Sequence, residues 1–259
     1  MKNKKALLAL FISALSLCLI LTFALPNSSK NTRHVDQNGQ EIGTHPALKQ
    51  DLVSDSGEKI LEVIEASYQI TENGLDSSSI RVRNLSGKNI TALGIVWGLT
   101  FTDGRKCQIE QLVDYRIHKD ITQSKGVRPI APYEEKYIPR LAKKTLDEKQ
   151  FIKDVKVTFS FVEFESGGGV GLEKSEMYKR LLSRREGAEI YKRWVEDEYK
   201  DDPSRIGIVI GRLSGDDMPG DKSLVNDDAR QGALVYKQWM RDVLNDGGAD
   251  ALLKHLHSN

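Results

Sequence analysis

Hydrophobic and polar positions divide the chain into four stretches of different period. From Ala6 to Leu25, twenty uncharged and mostly apolar residues run without a polar face behind Lys2, Lys4 and Lys5. A helix of that length covers about 30 Å, the thickness of a bilayer's hydrocarbon core. The segment therefore predicts a membrane helix, with its lysines cytoplasmic and the rest of the chain exported. Cleavage as a signal peptide, at Thr22-Phe23-Ala24, is the alternative, leaving a secreted or periplasmic chain. From Pro26 to Glu58 single apolar residues are scattered without period, which reads as a flexible linker.

From Lys59 to Glu165 the period becomes two. Ile60–Ile64 and Tyr68–Ile70 open it, and Ile80–Leu85 alternates before a turn at Ser86–Asn89. Ile90–Thr102 is a long apolar run rich in β-branched and aromatic residues, the pattern of a central strand, and Asp103-Gly104 ends it with a hairpin signal. Cys107–Val113 and Tyr115–Lys119 predict short strands, and the prolines of Pro129–Pro139 place that segment at an edge. Val155–Glu165 alternates, with Val155, Val157, Phe159 and Phe161 expected on one face. Thr145 and Glu148 have capping-box spacing, so Leu141–Lys153 predicts a short helix. About seven short strands with turn signals between them predict an immunoglobulin-like antiparallel β-sandwich.

Gly167–Gly171 breaks this period and reads as a hinge. Beyond it the spacing is helical and repeats itself. Arg185-Glu-Gly-Ala-Glu-Ile-Tyr-Lys-Arg-Trp-Val195 recurs, 45 residues on, as Arg230-Gln-Gly-Ala-Leu-Val-Tyr-Lys-Gln-Trp-Met240, with six of eleven positions identical. Each unit predicts a long helix, a break and a short helix: Ile206–Leu213 in the first, after Asp202-Pro203, and Ala249–His257 in the second, after Gly247-Gly248. The expected fold class is therefore multidomain α and β. It comprises a membrane anchor or signal peptide (1–25), a linker (26–58), a β-sandwich (59–166) and an all-α domain of two repeated helical hairpins (172–259).

Composition narrows the function by exclusion. The 259 residues are 39% hydrophobic, enough for a packed core, and carry 38 Lys and Arg against 37 Asp and Glu, a net charge of +1. Such a balance speaks against a nucleic-acid partner. Cys18 and Cys107 are the only cysteines, so no disulfide framework or cysteine zinc site is available. Nucleophile elbows, zincin helices and phosphate loops are all missing from the sequence. A Cys107–His118 pair lacks an orienting third group. His255 and His257 point to different faces of one helix. The acidic stretches Asp201-Asp202, Asp216-Asp217 with Asp221, and Asn226-Asp227-Asp228 lack the ladder of a calcium loop. Tyr191 with Trp194, and Tyr236 with Trp239, sit three apart on one face and read as helical core. Gly207 and Gly211 have the spacing of a close helix contact. Asn84-Leu85-Ser86 and Asn89-Ile90-Thr91 match the glycosylation acceptor pattern. No catalytic, cofactor-binding or metal-ligating residue is assigned.

Asn84–Ala92, Phe101–Gly104 and Val162–Phe164 resemble the strand–turn–strand pattern of exported bacterial β-sandwich proteins of uncharacterised function. That resemblance implies a sandwich fold and an exported setting, and brings no catalytic residues. The function expected is that of a non-enzymatic, membrane-anchored protein acting through protein contacts. Its partners would be the membrane, through residues 6–25, and a protein. The alternatives are an envelope hydrolase with carboxylates between its two domains, and a glycan or cell-wall binder presenting Trp97 or Tyr115.

Overall fold

The computed structural model describes residues 34–35, 41–71, 74–117, 127–138, 144–145, 152–199, 205–219 and 224–257. The chain forms two compact units. In Met1–Val35 the described part is the short strand β1 (His34–Val35). Asp36–Asn259 holds the remaining described residues, arranged as two sheets and a layer of helices.

The first sheet centres on β5 (Lys59–Thr71) and β6 (Gly74–Asn84), paired antiparallel. β2 (Glu41–Pro46) and β4 (Leu52–Val53) share the far edge of β5. β9 (Glu135–Ile138) and β10 (Lys144–Thr145) share the far edge of β6. The second sheet runs β8 (Lys106–Asp114), β7 (Ile90–Phe101), β11 (Ile152–Phe164). On the other edge of β11, β3 (Leu48–Lys49) pairs parallel and β12 (Gly169–Val170) antiparallel. Leu61, Val63, Ile80 and Val82 from the first sheet meet Leu93, Ile95, Trp97, Leu99, Val155 and Val157 from the second in one buried core. The two sheets are a sandwich.

Among the described residues the helices are α1 (Glu176–Tyr199), α2 (Ile206–Ser214) and α3 (Asp227–His257), the last broken at Gly248, where φ is 71°. Met177 and Leu181 of α1 pack on Ala92 and Phe161, on the outer face of the second sheet. A helical layer covering a sheet corrects the expected fold of a sandwich beside a self-contained all-α domain. Gly167–Gly171, read as a hinge, supplies a turn and the strand β12. Residues Glu41–Val53, where no period predicts an element, form β2, β3 and β4. Residues 144–145 of the expected capping-box helix are strand, because their backbone pairs with Leu75 and Gly74.

The membrane helix is corrected as well. Residues 6–25 lie outside the described residues, and among the described residues no helix is long and apolar enough to cross a membrane. α1 and α3 carry charges throughout their length, and α2, though apolar, has nine residues, about 14 Å of rise. The membrane as a partner and the anchored location therefore have no support in the fold.

Candidate functional site

Among the described residues, a cluster of buried charge lies in the seam between α1 and the second sheet. Arg185 donates from Nε and Nη2 to the Asp114 carboxylate at 2.9 and 2.8 Å, and from Nη1 and Nη2 to that of Glu163 at 3.0 and 2.7 Å. The two carboxylate side chains are only 7% and 4% exposed. Tyr178 and Thr91 donate to Glu163 at 3.4 Å each. Burial alone would raise the Glu163 pKa, but the Arg185 hydrogen bonds and the Arg185 and Arg116 charges hold it below the ordinary value. Burial would likewise lower the Arg185 pKa, and its two carboxylate partners raise it instead. One guanidinium thus bridges both carboxylates of this pair. Neither carboxylate is among the residues that line the two cavities described below.

A second seam joins the helices. A Cβ on Gly187 would stand 1.8 Å from the Ala229 carbonyl oxygen, and one on Gly232 would stand 1.8 Å from that of Arg184. Since 229 and 232 are 184 and 187 plus 45, the repeats meet reciprocally, each offering its glycine to the other's backbone. Tyr191 and Tyr236, also 45 apart, face each other across this seam at 6.3 Å. Tyr191, Tyr236 and Trp239 are buried there, with Trp194 packed against them. The carbonyl end of α2 is closed by α3: Lys237, 4% exposed, donates to Gly215 and Asp217 at 2.7 and 2.8 Å, and Arg241 donates to Leu213 and Gly215. Burial lowers the Lys237 pKa. This is a helix C-terminus satisfied by cations.

The two tryptophans differ in surroundings. The Arg212 guanidinium lies 4.6 Å from the centre of the Trp194 ring and pairs with Glu198 at 2.5 Å. Trp239 meets His255 edge-on at 4.3 Å, and beside it opens a cleft of about 530 Å³ lined by Trp239, Asp242, Val243, Asn245, Asp246, Gly247 and Ala251. The cleft exists because the positive φ of Gly248 swings the last helical segment away from the α3 axis. Another cavity, of about 640 Å³, lies between Leu52–Asp55 and the Gly167–Lys174 turn.

The remaining candidates are scattered. Trp97 and Tyr115 are core residues, 0% and 5% exposed, so neither presents a glycan platform; among the described residues the exposed large aromatics are Tyr133 and Tyr137. Cys107 is a free, half-buried thiol, and His118 lies outside the described residues, as do Asp201, Asp202 and Asp221. Asp228 holds Arg180 and Arg184. Among the described residues no group of three His, Cys, Asp or Glu is placed to hold a metal. A Cβ on Gly207 or Gly211 would meet open space, so these glycines do not serve a close helix contact. Asn84 is fully buried, its Nδ2 donating to the Lys88, Ile130 and Ala131 carbonyls, which removes it as a glycosylation acceptor in the folded chain.

No family model and no curated protein matches the chain. Among solved structures, the chain is similar to one described as "X-ray structure of Northeast Structural Genomics Consortium target SoR45". That match is at 13% identity, covering 50% of this chain and 75% of that one, with a TM-score of 0.25.

Proposed function

We propose that the protein is a non-enzymatic binding module that acts through protein contacts of its helical layer. The observation that carries this reading is the cleft beside Trp239, an apolar floor with an acidic rim at the end of α3. Two further features support it. The helical layer leaves Leu182, Ile208, Val225, Leu234 and Val235 more than two-fifths exposed, and large aliphatic side chains left in water are a feature of contact surfaces. The buried carboxylates of the sheet seam, by contrast, are both bound by Arg185.

The test is photo-crosslinking in the cell of origin, with a crosslinking amino acid placed either at Val235 in α3 or at Tyr137 on the opposite sheet. A defined adduct from Val235 alone is the expected result. Equal labelling from both positions, or none from Val235, overturns the reading.

A further inference from the structure

We infer that the cavity between β4 and the Gly167–Lys174 turn receives an extended segment of a partner polypeptide, which adds as a strand to the free edge of β12. This site lies in the sandwich, so it goes beyond the helical-layer reading above and does not depend on it. The Phe164 N–H donates to the Gly168 carbonyl, and Glu163 and Val162 stand opposite Gly169 and Val170. That pairing aims the Gly168 carbonyl, the Val170 N–H and the Val170 carbonyl at β11. In a trans peptide the C=O and the following N–H point in opposite directions, and no peptide bond among the described residues is cis. The N–H and C=O of Gly169 and the N–H of Gly171 therefore face away from β11. β12 ends its sheet, and among the described residues no strand pairs with it on that side.

A row of outward backbone groups at a sheet edge is the template for strand addition. Here the residues that carry them line a cavity of about 640 Å³, within the span of ligand pockets, roughly 300–1,000 Å³. Gly169 is exposed and has no side chain to hold an incoming backbone away. In the same lining, Val53 of β4 is 47% exposed and stands with the partly buried Leu52 and Val170. That aliphatic surface suits one apolar side chain of the incoming segment, since alternation along a strand lets a residue turn its side chain to Val53 while its neighbour pairs with Gly169. The charged part of the lining is Asp55 and Glu173 against Lys174, an excess of one carboxylate. Charge complementarity therefore sets the flanks. The segment that fits is extended, aliphatic at its centre and basic at its ends.

The experiment is an NMR titration of the full chain with the acetylated, amidated pentapeptide Lys-Val-Thr-Val-Lys. Two control peptides accompany it: one N-methylated at Thr and both Val, which keeps the side chains and removes the central backbone donors, and one with Asp in place of both Lys. The expected result is a saturable downfield shift of the Gly169 and Gly171 amide protons, with slower hydrogen exchange at both. The N-methylated peptide should give no saturable shift, and the Asp-flanked one should bind several-fold more weakly at low salt. A Cβ on Gly168 would meet nothing within 4 Å, so Gly168→Tyr should keep the fold, fill the cavity and block binding. Val53→Ser, an exposed change on the aliphatic wall, should weaken it. No saturable shift, an equal response to either control peptide, or binding that survives Gly168→Tyr overturns the inference. So does a Gly169 amide that already exchanges slowly without peptide, since the chain itself then fills the edge. Shifts of these two amides that follow protein concentration alone also overturn it, in favour of a second copy of the chain.

Discussion

The two outer faces of the sandwich use the same residue types under opposite conditions. On the first sheet, Arg83 pairs with Glu62 and Glu135, and Arg81 with Glu135 and Glu65, a ladder across three strands in contact with solvent. On the second sheet, one arginine, Arg185, reaches down from α1 to Asp114 and Glu163 beneath a helix. Water already satisfies the groups of the first ladder, and salt screens them. The second cluster has been taken out of water, so each member depends on the others. The contrast teaches that an ion pair's place in the layers, more than its geometry, decides whether the fold relies on it.

The largest effect is expected from Arg185→Ala, which leaves two buried carboxylates without their guanidinium. It should cost about 3–5 kcal/mol, read as a lower urea midpoint. This loss should depend on pH. Glu163 has a depressed pKa in the fold, so its contribution is complete above the ordinary value of 4.5 and disappears as the pH falls through the lowered folded value. The gap between wild type and Arg185→Ala should therefore narrow below that range. A gap that stays constant down to acid unfolding would remove the ion cluster as its cause.

Leu181→Ala tests the apolar half of the same face. Leu181 is 1% exposed and packs with Phe161 and Ala92, and truncation should cost about 2–5 kcal/mol. Replacing Arg185, Asp114 and Glu163 together by Met, Asn and Leu should recover most of the stability lost in Arg185→Ala, because no charge then remains buried. Asn keeps an oxygen for the Arg116 backbone N–H, which Asp114 now accepts. Should the triple variant be as unstable as the single one, the cluster contributes more than mutual neutralisation. The smallest effect belongs to Arg83→Ala in the exposed ladder, whose melting midpoint should be indistinguishable from wild type at moderate salt. A clear drop there would erase the distinction between the two faces.

Much of this layering is written in the sequence, in places that mislead as readily as they inform. Ile90–Phe101 reads as one apolar run because its first half is covered on both sides. Leu93 and Ile95 face the sandwich core, while Ala92 and Val96 face α1. The alternation of Val155–Glu165 is equally plain, yet it does not put Phe161 with Val157. A bulge between Phe159 and Phe161 shifts the phase by one residue, turning Phe161 to the helices and Val162 and Phe164 to the core. Glu163 in that apolar stretch was the available signal for the buried cluster, and only the bulge shows where it points. The repeat at 185 and 230 was fully legible, down to its break at Gly248. The cleft beside that break was not, because it depends on the direction in which Gly248 turns the backbone. β2, β3 and β4 carry no pattern because each is two to six residues long and is held by pairing with other strands.

Those short strands have a mechanical consequence. β3 runs parallel to β11, with the Gln50 N–H extending the pairing onto Val157. In a parallel pair, the beginning of one strand and the end of the other lie at opposite ends. Tension applied between Glu41 and the helices that follow Phe164 therefore slides β3 along β11, loading its hydrogen bonds together rather than one after another. β2 and β4, on the opposite sheet, must be dragged along with it. The unit is fastened at its first strands by a shear lock, in which a few bonds acting in concert resist a pull that would unzip a longer hairpin.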